Sequence, residues 1–310
     1  METSTEISIA AVVVTYNRME TLKRCVSALQ AQTGYVPDIL LIDNASTDGT
    51  ALFCRTLAEN NNKIHYYNTG SNLGGAGGFS FGIKTGVLEG YNYLWLMDDD
   101  TIPEDNALEM LLQAAEKLDG KFGFLSSYAV WKDGSACKMN VPGPSNCWKE
   151  EVDNQFENKI FRIDYASFVS MLIKSDVVRD VGLPIKEFFI WSDDIEYTTR
   201  ISKKYPCYFV YESRVLHAMQ TNASTNILNE KSDRLERYRY LYRNRYYIAK
   251  NGYKRDFILF QILTMNTIRD LMKSESRDKL RRMKIVIQSY LSGIRFHPQI
   301  EYVNEEREKK

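Results

Sequence analysis

The chain has 310 residues, of which 44% are hydrophobic, 26% charged and 12% aromatic, and its 40 Lys and Arg residues balance 40 Asp and Glu residues. This composition is close to that of an ordinary globular protein, and the length suits one large α/β domain with an appendage or two smaller domains. A net charge of zero gives no reason to expect a nucleic-acid partner.

The charge is unevenly distributed along the chain. Lys231 to Lys310 hold 20 basic and 10 acidic residues, so the preceding part carries about ten excess negative charges. An acidic body suits a metal site, and a basic tail suits an anionic partner such as a membrane surface. The alternative for the tail is a solvated helical face that is rich in Arg.

Three features of the sequence predict a cytoplasmic protein. The five cysteines are scattered and odd in number, which is typical of reduced thiols rather than a disulfide framework or a zinc cluster. Glu2 and Glu6 stand where a signal peptide would carry basic and apolar residues. The longest uncharged apolar stretch of the tail, Phe257 to Ile268, is too short to span a bilayer.

The first half of the chain alternates buried-strand patterns with helical patterns. The predicted strands are Ile7 to Thr15, Ile39 to Asp43, Ile64 to Tyr67, Tyr93 to Met97 and Phe122 to Val130. The predicted helices are Met19 to Gln30, a segment capped near Ser46 or Asp48 and running to Ala58, Gly74 to Leu88, and Glu104 to Leu118. Such alternation predicts an α/β fold with a mainly parallel sheet.

The second half is less regular. Residues from about 132 to 160 lose periodicity and gather glycines and prolines, which indicates a loop or insertion over the cleft. Order is expected to resume from Tyr165 to Ile173, followed by a helix from Ser192 to Tyr205 and a closing strand from Cys207 to Tyr211. We therefore predict one domain over 1–223 and a helical, basic region over 224–310.

Polar side chains follow three of the predicted strands. Thr15, Tyr16 and Asn17 follow the first strand, Asp43 ends the second, and Asp98, Asp99 and Asp100 follow the strand that starts at Tyr93. Parallel sheets bind ligands beyond the carboxyl ends of their strands, so these groups are expected at one edge. Adjacent carboxylates repel one another, which favours a divalent cation between them and phosphate groups. The alternative is a set of turn and helix-capping residues.

Three further motifs are candidates for chemistry. The glycine-dense stretch from Asn72 to Phe79 is typical of an anion site at a helix start, or alternatively of tight helix packing. The acidic knot Asp193-Asp194-Ile195-Glu196 follows aromatic residues that could desolvate a carboxylate and make it a general base, although helix capping is the other reading. His217, after the last predicted strand, is either a third metal ligand or a core residue.

These motifs, taken in order, resemble the inverting family 2 glycosyltransferases of GT-A fold, over residues 7 to 220. The matching segments are Val12 to Arg18, Asp43 to Thr50, Asn72 to Phe79, Asp98 to Asp100 and Trp191 to Tyr197. The triple Asp, the acidic knot with its Trp and the downstream His are most similar to galactofuranosyltransferases, with rhamnosyltransferases next. The chain departs from that pattern in Ser192, which separates Trp191 from the acidic pair.

The resemblance implies a role for each matched residue. Nucleotide-sugar binding would fall to Thr15, Tyr16, Asn17, Arg18, Asp43, Asn72, Gly74, Gly75, Asp98 and Asp99. Asp98, Asp100 and His217 would hold Mn²⁺ or Mg²⁺. Asp194 would be the catalytic base with Asp193 beside it, while Trp191 and Glu196 would contact the acceptor.

The implied activity is metal-dependent, inverting transfer of galactofuranose from UDP-galactofuranose to a hydroxyl of a glycan or lipid-linked acceptor in cell-surface polysaccharide synthesis. The alternatives are a rhamnosyltransferase that uses dTDP-rhamnose, a nucleotidyltransferase, a metal-independent glycosidase, and a sugar-nucleotide-binding protein without catalysis.

The tail from Leu228 to Arg295 contains the Arg- and Tyr-rich segment from Arg237 to Tyr247, and two alternatives are open for it. Its basic and apolar helices can lie on the anionic inner leaflet of the plasma membrane. They can equally pack on the catalytic domain, or on a second subunit to form a homo-oligomer.

Overall fold

The computed structural model describes residues 7–150, 152–223 and 225–303. The outer ends of the two predicted regions, 1–6 and 304–310, and the single positions 151 and 224 lie outside the described residues. Glu2 and Glu6, on which the prediction about a signal peptide rests, are among them.

Ten strands occur within these described ranges. They are β1 (Ile9–Thr15), β2 (Asp38–Asp43), β3 (Ile64–Asn68), β4 (Tyr93–Asp98), β5 (Thr101–Pro103), β6 (Phe124–Val130), β7 (Gly143–Pro144), β8 (Ile160–Tyr165), β9 (Met171–Lys174) and β10 (Tyr208–His217). They form one sheet in the order β3-β2-β1-β4-β9-β6-β10-β8-β7, and β5 pairs with β10. β1 to β4 are parallel where they pair, as are β6 and β10, whereas β9 is antiparallel to β4 and β6. The prediction of a mixed, mainly parallel sheet is confirmed.

Among the described residues, seven α-helices surround the sheet and three follow it. The first seven are α1 (Met19–Gln30), α2 (Thr50–Asn60), α3 (Gly74–Leu88), α4 (Ala107–Lys117), α5 (Val152–Asn158), α6 (Ser175–Val181) and α7 (Asp193–Ser202). The last three are α8 (Tyr238–Asn251), α9 (Lys254–Lys273) and α10 (Lys279–Ile294). A C-terminal helical region is therefore present, as predicted. Among the residues described, no helix combines the length and the apolar character that crossing a membrane requires.

Both faces of the sheet are buried. Ile9, Ala11 and Val13 of β1 face a core that they share with α1 and α4, while Ala10 and Val12 face a second core that contains side chains of α3 and α7. A strand buried on both faces needs a continuous apolar run, which is what the sequence of β1 supplies. The sheet is thereby fixed between helical layers, and its polar strand ends are left at one edge.

Glycines let α3 lie close to the sheet. A Cβ atom on Gly78 would come within 2.6 Å of Val14, one on Gly82 within 2.5 Å of Val12, and one on Gly86 within 2.5 Å of Leu94. The four-residue spacing places these glycines on one helix face. For Gly78, which lies in the glycine-dense stretch, the tight-packing alternative is the correct one.

The second half of the chain departs from the prediction in three places. β10 continues to His217 instead of ending at Tyr211, because a bulge between Val210 and Arg214 shifts its register on β6 and interrupts the pattern. Order resumes with β8 at Ile160, ahead of Tyr165, and α5 lies inside the predicted loop. Short elements of this kind lack enough periodicity to be recognised.

Candidate active site

Asp98, Asp100 and His217 form a cluster in which one ligand atom from each residue lies within 4.8 Å of the others. Asp98 ends β4, Asp100 follows it, and His217 ends β10. The main chain holds the two parts together, because Thr101 of β5 pairs with His217 and the Ala218 amide donates to the Asp100 carbonyl at 2.9 Å. The sheet thus brings together the three residues predicted to bind metal.

Asn140 fixes the orientation of the His217 ring. Its side-chain amide nitrogen donates to the Ser167 hydroxyl at 2.8 Å, so its oxygen faces His217 Nδ1, also at 2.8 Å. Nδ1 therefore carries a proton, and Nε2 lies 3.1 Å from a carboxylate oxygen of Asp100. This arrangement, with one ring nitrogen held by an oxygen and the other turned to carboxylates, is typical of a histidine that ligates a metal.

Positive groups offset the carboxylates of the triple Asp. The Arg18 guanidinium lies 2.7 Å from Asp100 and 3.4 Å from Asp99. Burial opposes the charged form of His217, but its hydrogen bonds to Asp100 and Cys137 and the charges of Asp100 and Asp98 outweigh burial and raise its pKa to about 10. Arg18 and His217 thus offset part of the negative charge that the three carboxylates bring together.

The three carboxylates differ in pKa. Burial raises the pKa of Asp98 to about 6 and that of Asp99 to about 7, each with a contribution from the Asp100 charge. Burial acts on Asp100 too, but His217 and Arg18 outweigh it and lower its pKa. A divalent ion would favour the charged forms of Asp98 and Asp100 and would displace the proton of His217. Two carboxylates and an imidazole at this separation fit such an ion.

The end of β1 contributes a polar ridge beside the triple Asp. The Thr15 hydroxyl donates to Asp99 at 2.7 Å, and the Asn17 side chain accepts from the Thr47 amide at 2.7 Å. Ser46 accepts from the Asn17 amide and so ties this ridge to the end of β2, rather than capping α2. Tyr16 is 42% exposed and available to a ligand.

Asp43 lies behind this surface. It is fully buried, and its carboxylate accepts from the Ser46 amide at 2.8 Å, the Tyr66 hydroxyl at 2.9 Å and the Asn68 amide at 3.2 Å. A nucleotide base that reached Asp43 would have to displace one of these donors. The predicted base contact therefore requires a local rearrangement.

The start of α3 is built as a turn. Asn72 accepts from the Gly74 amide at 2.9 Å, and Gly74 has a φ of +71° with its α-carbon pressed against the Phe189 carbonyl. The same carbonyl accepts from the Ala76 amide, which removes one helix-start donor from an anion. Gly75 has nothing within 4 Å of its Cβ position and remains open.

The acidic knot opens α7 with a buried carboxyl group, that of Asp193, and a half-buried one, that of Asp194. Burial and the neighbouring Asp194 charge raise the pKa of Asp193 well above its usual range. Burial, together with Asp98, raises the pKa of Asp194 to about 6. Ionisation is therefore disfavoured at both carboxyl groups, and more strongly at Asp193. Asp98 acts on both, so the knot and the metal-ligand cluster share one electrostatic environment.

The two predicted acceptor residues contact the protein. Both oxygens of Glu196 accept from Arg200, at 3.0 and 2.9 Å, and these side chains are largely buried. The Trp191 ring packs edge-on against Tyr238 of α8, with 5.1 Å between the ring centroids. Glu196 thus forms an ion pair in this structure, which corresponds to the salt-bridge role that the spacing of the knot allows.

Asn140 is a site residue that sequence reasoning missed. It lies between Gly134 and Pro142 in the segment predicted as an aperiodic loop. No local pattern marks an Asn that binds a histidine 77 positions later. The predicted position of this loop over the cleft was the available signal.

Comparison with protein families identifies the domain. Residues 10–161 match the model described as Glycosyl transferase family 2. Galactofuranosyltransferase GlfT1 of Mycobacterium tuberculosis is 26% identical over 207 residues, which cover 63% of this chain and 64% of that protein. The chain thus spans slightly less than two thirds of that relative. GlfT1 of Mycolicibacterium smegmatis is 26% identical over 310 residues, 91% of this chain and 97% of that protein.

Solved structures share the fold. GalNAc-T7, crystallised with UDP, GalNAc and Mn²⁺, superposes with a TM-score of 0.62 at 15% identity and covers 91% of this chain and 55% of its own. Residues 1–349 of S. aureus TarS superpose with a TM-score of 0.60 at 14% identity and cover 92% and 81%. Identities this low speak for the fold alone, and that fold is GT-A. Residues 10–161 are a family 2 glycosyltransferase domain, in a chain that resembles galactofuranosyltransferases.

Proposed function

We propose that the protein is a metal-dependent, inverting glycosyltransferase that moves galactofuranose from UDP-galactofuranose to a hydroxyl group of an acceptor. One observation carries this proposal. The cluster of Asp98, Asp100 and His217 lies near Asp193 and Asp194, since the Asp98 charge acts on both of these carboxyl groups. A leaving diphosphate and an attacking hydroxyl require these two kinds of group side by side.

The donor is bound along the ends of β1 and β4. Tyr16 and Asn17 lie at the surface of this ridge, and Thr15 fixes Asp99 from below. Arg18 has a side chain that is 54% exposed, and its charge is available to a phosphate once an ion has engaged Asp100. Gly75 offers an unobstructed backbone approach.

Asp98, Asp100 and His217 would hold the divalent ion. Such an ion supplies positive charge to the departing diphosphate. Asn140 keeps Nε2 of His217 turned toward the cluster, which is the arrangement a ligand needs. Mn²⁺ and Mg²⁺ are both compatible with these donors.

Asp194 is the general base of the proposed reaction. It removes the proton of the acceptor hydroxyl as that oxygen attacks the anomeric carbon from the face opposite the diphosphate. The C–O bond to the diphosphate breaks in the same step, so the configuration inverts and no covalent intermediate forms. Asp193, whose charged form is disfavoured by burial and by the Asp194 charge, lies beside this base and shapes the acceptor pocket.

The likeness to the mycobacterial galactofuranosyltransferases supports galactofuranose as the transferred sugar. The rhamnosyl donor dTDP-rhamnose is the alternative. A glycan or a lipid-linked sugar of the cell surface is the proposed acceptor.

Donor turnover tests this proposal. The protein is incubated with UDP-galactofuranose, dTDP-rhamnose and other nucleotide sugars, with a panel of sugar acceptors, in Mn²⁺ or in EDTA. Released nucleotide is measured by a coupled assay and the product by mass spectrometry. We expect release from UDP-galactofuranose that EDTA abolishes. Tight UDP binding without turnover of any donor would instead identify a binding protein, and turnover unaffected by EDTA would contradict the metal role.

An anionic membrane surface is the second partner that we propose, and α9 is the element that would meet it. Six apolar residues of α9 are at least half exposed: Ile258, Leu259, Ile262, Leu263, Met265 and Met272. The same helix carries four cations and two carboxylates. A second copy of this face would place the same net positive charge against it. An anionic lipid surface carries the opposite charge and therefore complements the face. α9 lies within the tail from Leu228 to Arg295, for which a membrane surface was one of the two alternatives.

Sedimentation with vesicles tests the membrane contact. The wild type and the double variant Ile262→Ser with Leu263→Ser are mixed with vesicles of rising anionic-lipid content at low and high salt. Leu52→Ser is the control, because Leu52 is 72% exposed on α2 in the catalytic domain. We expect binding that salt weakens and that only the α9 variant loses. Absence of lipid binding, together with a dimer that the α9 variant dissociates, would assign this face to a second copy.

A further inference from the structure

The segment that leads into the acidic knot has an unfavourable backbone conformation. Phe189, Trp191 and Ser192 have φ values of +63°, +66° and +67°, a region that residues other than glycine rarely occupy. Phe189, with a ψ of −57°, is the centre of a tight γ-turn in which the Ile190 amide donates to the Phe188 carbonyl at 2.7 Å. This conformation needs support from outside the segment.

Asn244 of α8 supports this segment through hydrogen bonds to its backbone carbonyls. Its side-chain nitrogen lies 3.0 Å from the Phe188 carbonyl, 3.2 Å from the Ile190 carbonyl and 2.9 Å from the Trp191 carbonyl. Asn244 is fully buried. One amide group thus bonds three carbonyls of the strained segment, immediately before the two catalytic carboxylates.

Arg243 fixes the orientation of this amide. It donates from Nε and Nη2 to the side-chain oxygen of Asn244, at 3.1 and 2.9 Å, so the nitrogen must face the carbonyls. Nη2 also donates to the carbonyls of Glu187 and Phe188. The guanidinium lies 4.0 Å from the centroid of the Phe296 ring, which holds it in place.

Aromatic contacts join α8 to the same segment. Phe189 stacks on Tyr240 with 4.8 Å between centroids, and the Phe188 ring meets Tyr247 edge-on at 5.7 Å. The Arg- and Tyr-rich stretch of the tail is thus a packing element against the catalytic domain. If the tail packs on the catalytic domain, its Arg residues could be expected to pair with acidic side chains there. Arg243 in particular donates to backbone carbonyls instead.

We propose that Asn244 is a positioning residue for transfer: it holds the 188–192 backbone in the conformation that sets Asp193 and Asp194 at the reacting hydroxyl. The inference rests on the proposed function for its kinetic consequence. The restraint of residues 188–192 by Asn244 is a structural claim, and it can be tested without any measurement of sugar transfer. The tail contributes in this way to catalysis without touching a substrate.

The test compares Asn244→Asp and Asn244→Ala with Asn251→Asp and Asn251→Ala. Asn251 ends the same helix, is exposed, and donates only within α8, to the Tyr247 carbonyl, among the contacts of the described residues. Asn244→Asp keeps the shape of the side chain and removes the donor. Hydrogen exchange of residues 186–194, calorimetric UDP affinity in Mn²⁺, and kcat and KM are measured for each variant.

We expect amide exchange in 186–194 to accelerate at least tenfold and kcat to fall at least tenfold in both Asn244 variants, with UDP affinity within about twofold of wild type. The Asn251 variants should match wild type. Adding Ser192→Gly to Asn244→Ala should recover part of kcat, because glycine adopts positive φ readily.

Unchanged exchange in 186–194 would overturn the proposal, and so would a loss of UDP affinity equal to the loss of kcat, since that marks general damage to the fold. A wild type that transfers no sugar would refute the proposed function, while the exchange experiment would still decide whether Asn244 restrains the segment.

Discussion

Replacement of Asp194 by Asn tests the proposed mechanism most directly. The change preserves size and removes the proton acceptor, and general-base loss typically costs about 10²-fold to 10⁴-fold in rate. UDP affinity in Mn²⁺ should stay within about twofold, because Asp194 is not one of the three clustered ligands.

The pH dependence of kcat gives a second quantitative expectation. Burial raises the pKa of Asp194 to about 6. With that pKa about nine tenths of the wild-type base is ionised at pH 7 and slightly less than one tenth at pH 5, so kcat should fall about tenfold between them. The direction follows from the role, since a base acts only after it has lost its proton. In the Asp194→Asn variant this acid limb of the pH profile, the fall of kcat between pH 7 and pH 5, should disappear.

The assay is transfer from UDP-galactofuranose in Mn²⁺ from pH 5 to pH 8, with product quantified by mass spectrometry. Asp176→Asn is the control, because Asp176 has a side chain that is 93% exposed and pairs only with Arg179 among the ion pairs of the described residues. An Asp194→Asn variant that kept more than about a tenth of the wild-type rate, or kept the acid limb, would refute this assignment.

Three further outcomes are expected. His217→Ala should weaken UDP binding in Mn²⁺ at least tenfold by calorimetry, and EDTA should then change that affinity little; a variant still sensitive to EDTA would remove His217 from the metal site. Asn140→Ala should lower Mn²⁺ affinity about 10-fold to 100-fold while UDP binding without metal stays constant, because the His217 ring loses its orienting partner. Gly78→Ala should destabilise the protein by about 1–3 kcal/mol in urea unfolding, because its Cβ would lie 2.6 Å from Val14, whereas Gly75→Ala in the same helix meets nothing within 4 Å and should not. Equal stability of the two glycine variants would contradict the close helix packing.

Local pattern was sufficient for the parts of the fold that are regular. β1, β2 and β4 are continuous apolar runs buried on both faces, and the position of Asp98 at the end of one follows from the run itself. Because parallel strands share a carboxyl edge, the sequence also predicted which polar groups would gather there.

The supporting contacts of the site could not be predicted in that way. Asn140 meets His217 across 77 positions, and Asn244 meets Phe188 across 56. Neither contact leaves a periodic signal, because each depends on how whole elements dock. The bulge that extends β10 to His217 is a further example, since it breaks the alternation by which a strand is recognised.

The backbone bond from Ala218 to Asp100 has a consequence for biosynthesis. Asp100 and His217 are 117 positions apart, and β10, which carries the histidine, is the last strand of the sheet to be made. Synthesis and folding proceed from the N-terminus, so β1 to β4 can form before the histidine exists. Until β10 docks, the growing chain presents its carboxylates without the imidazole that completes the cluster. Completion of the proposed metal site is thereby delayed until the sheet is whole.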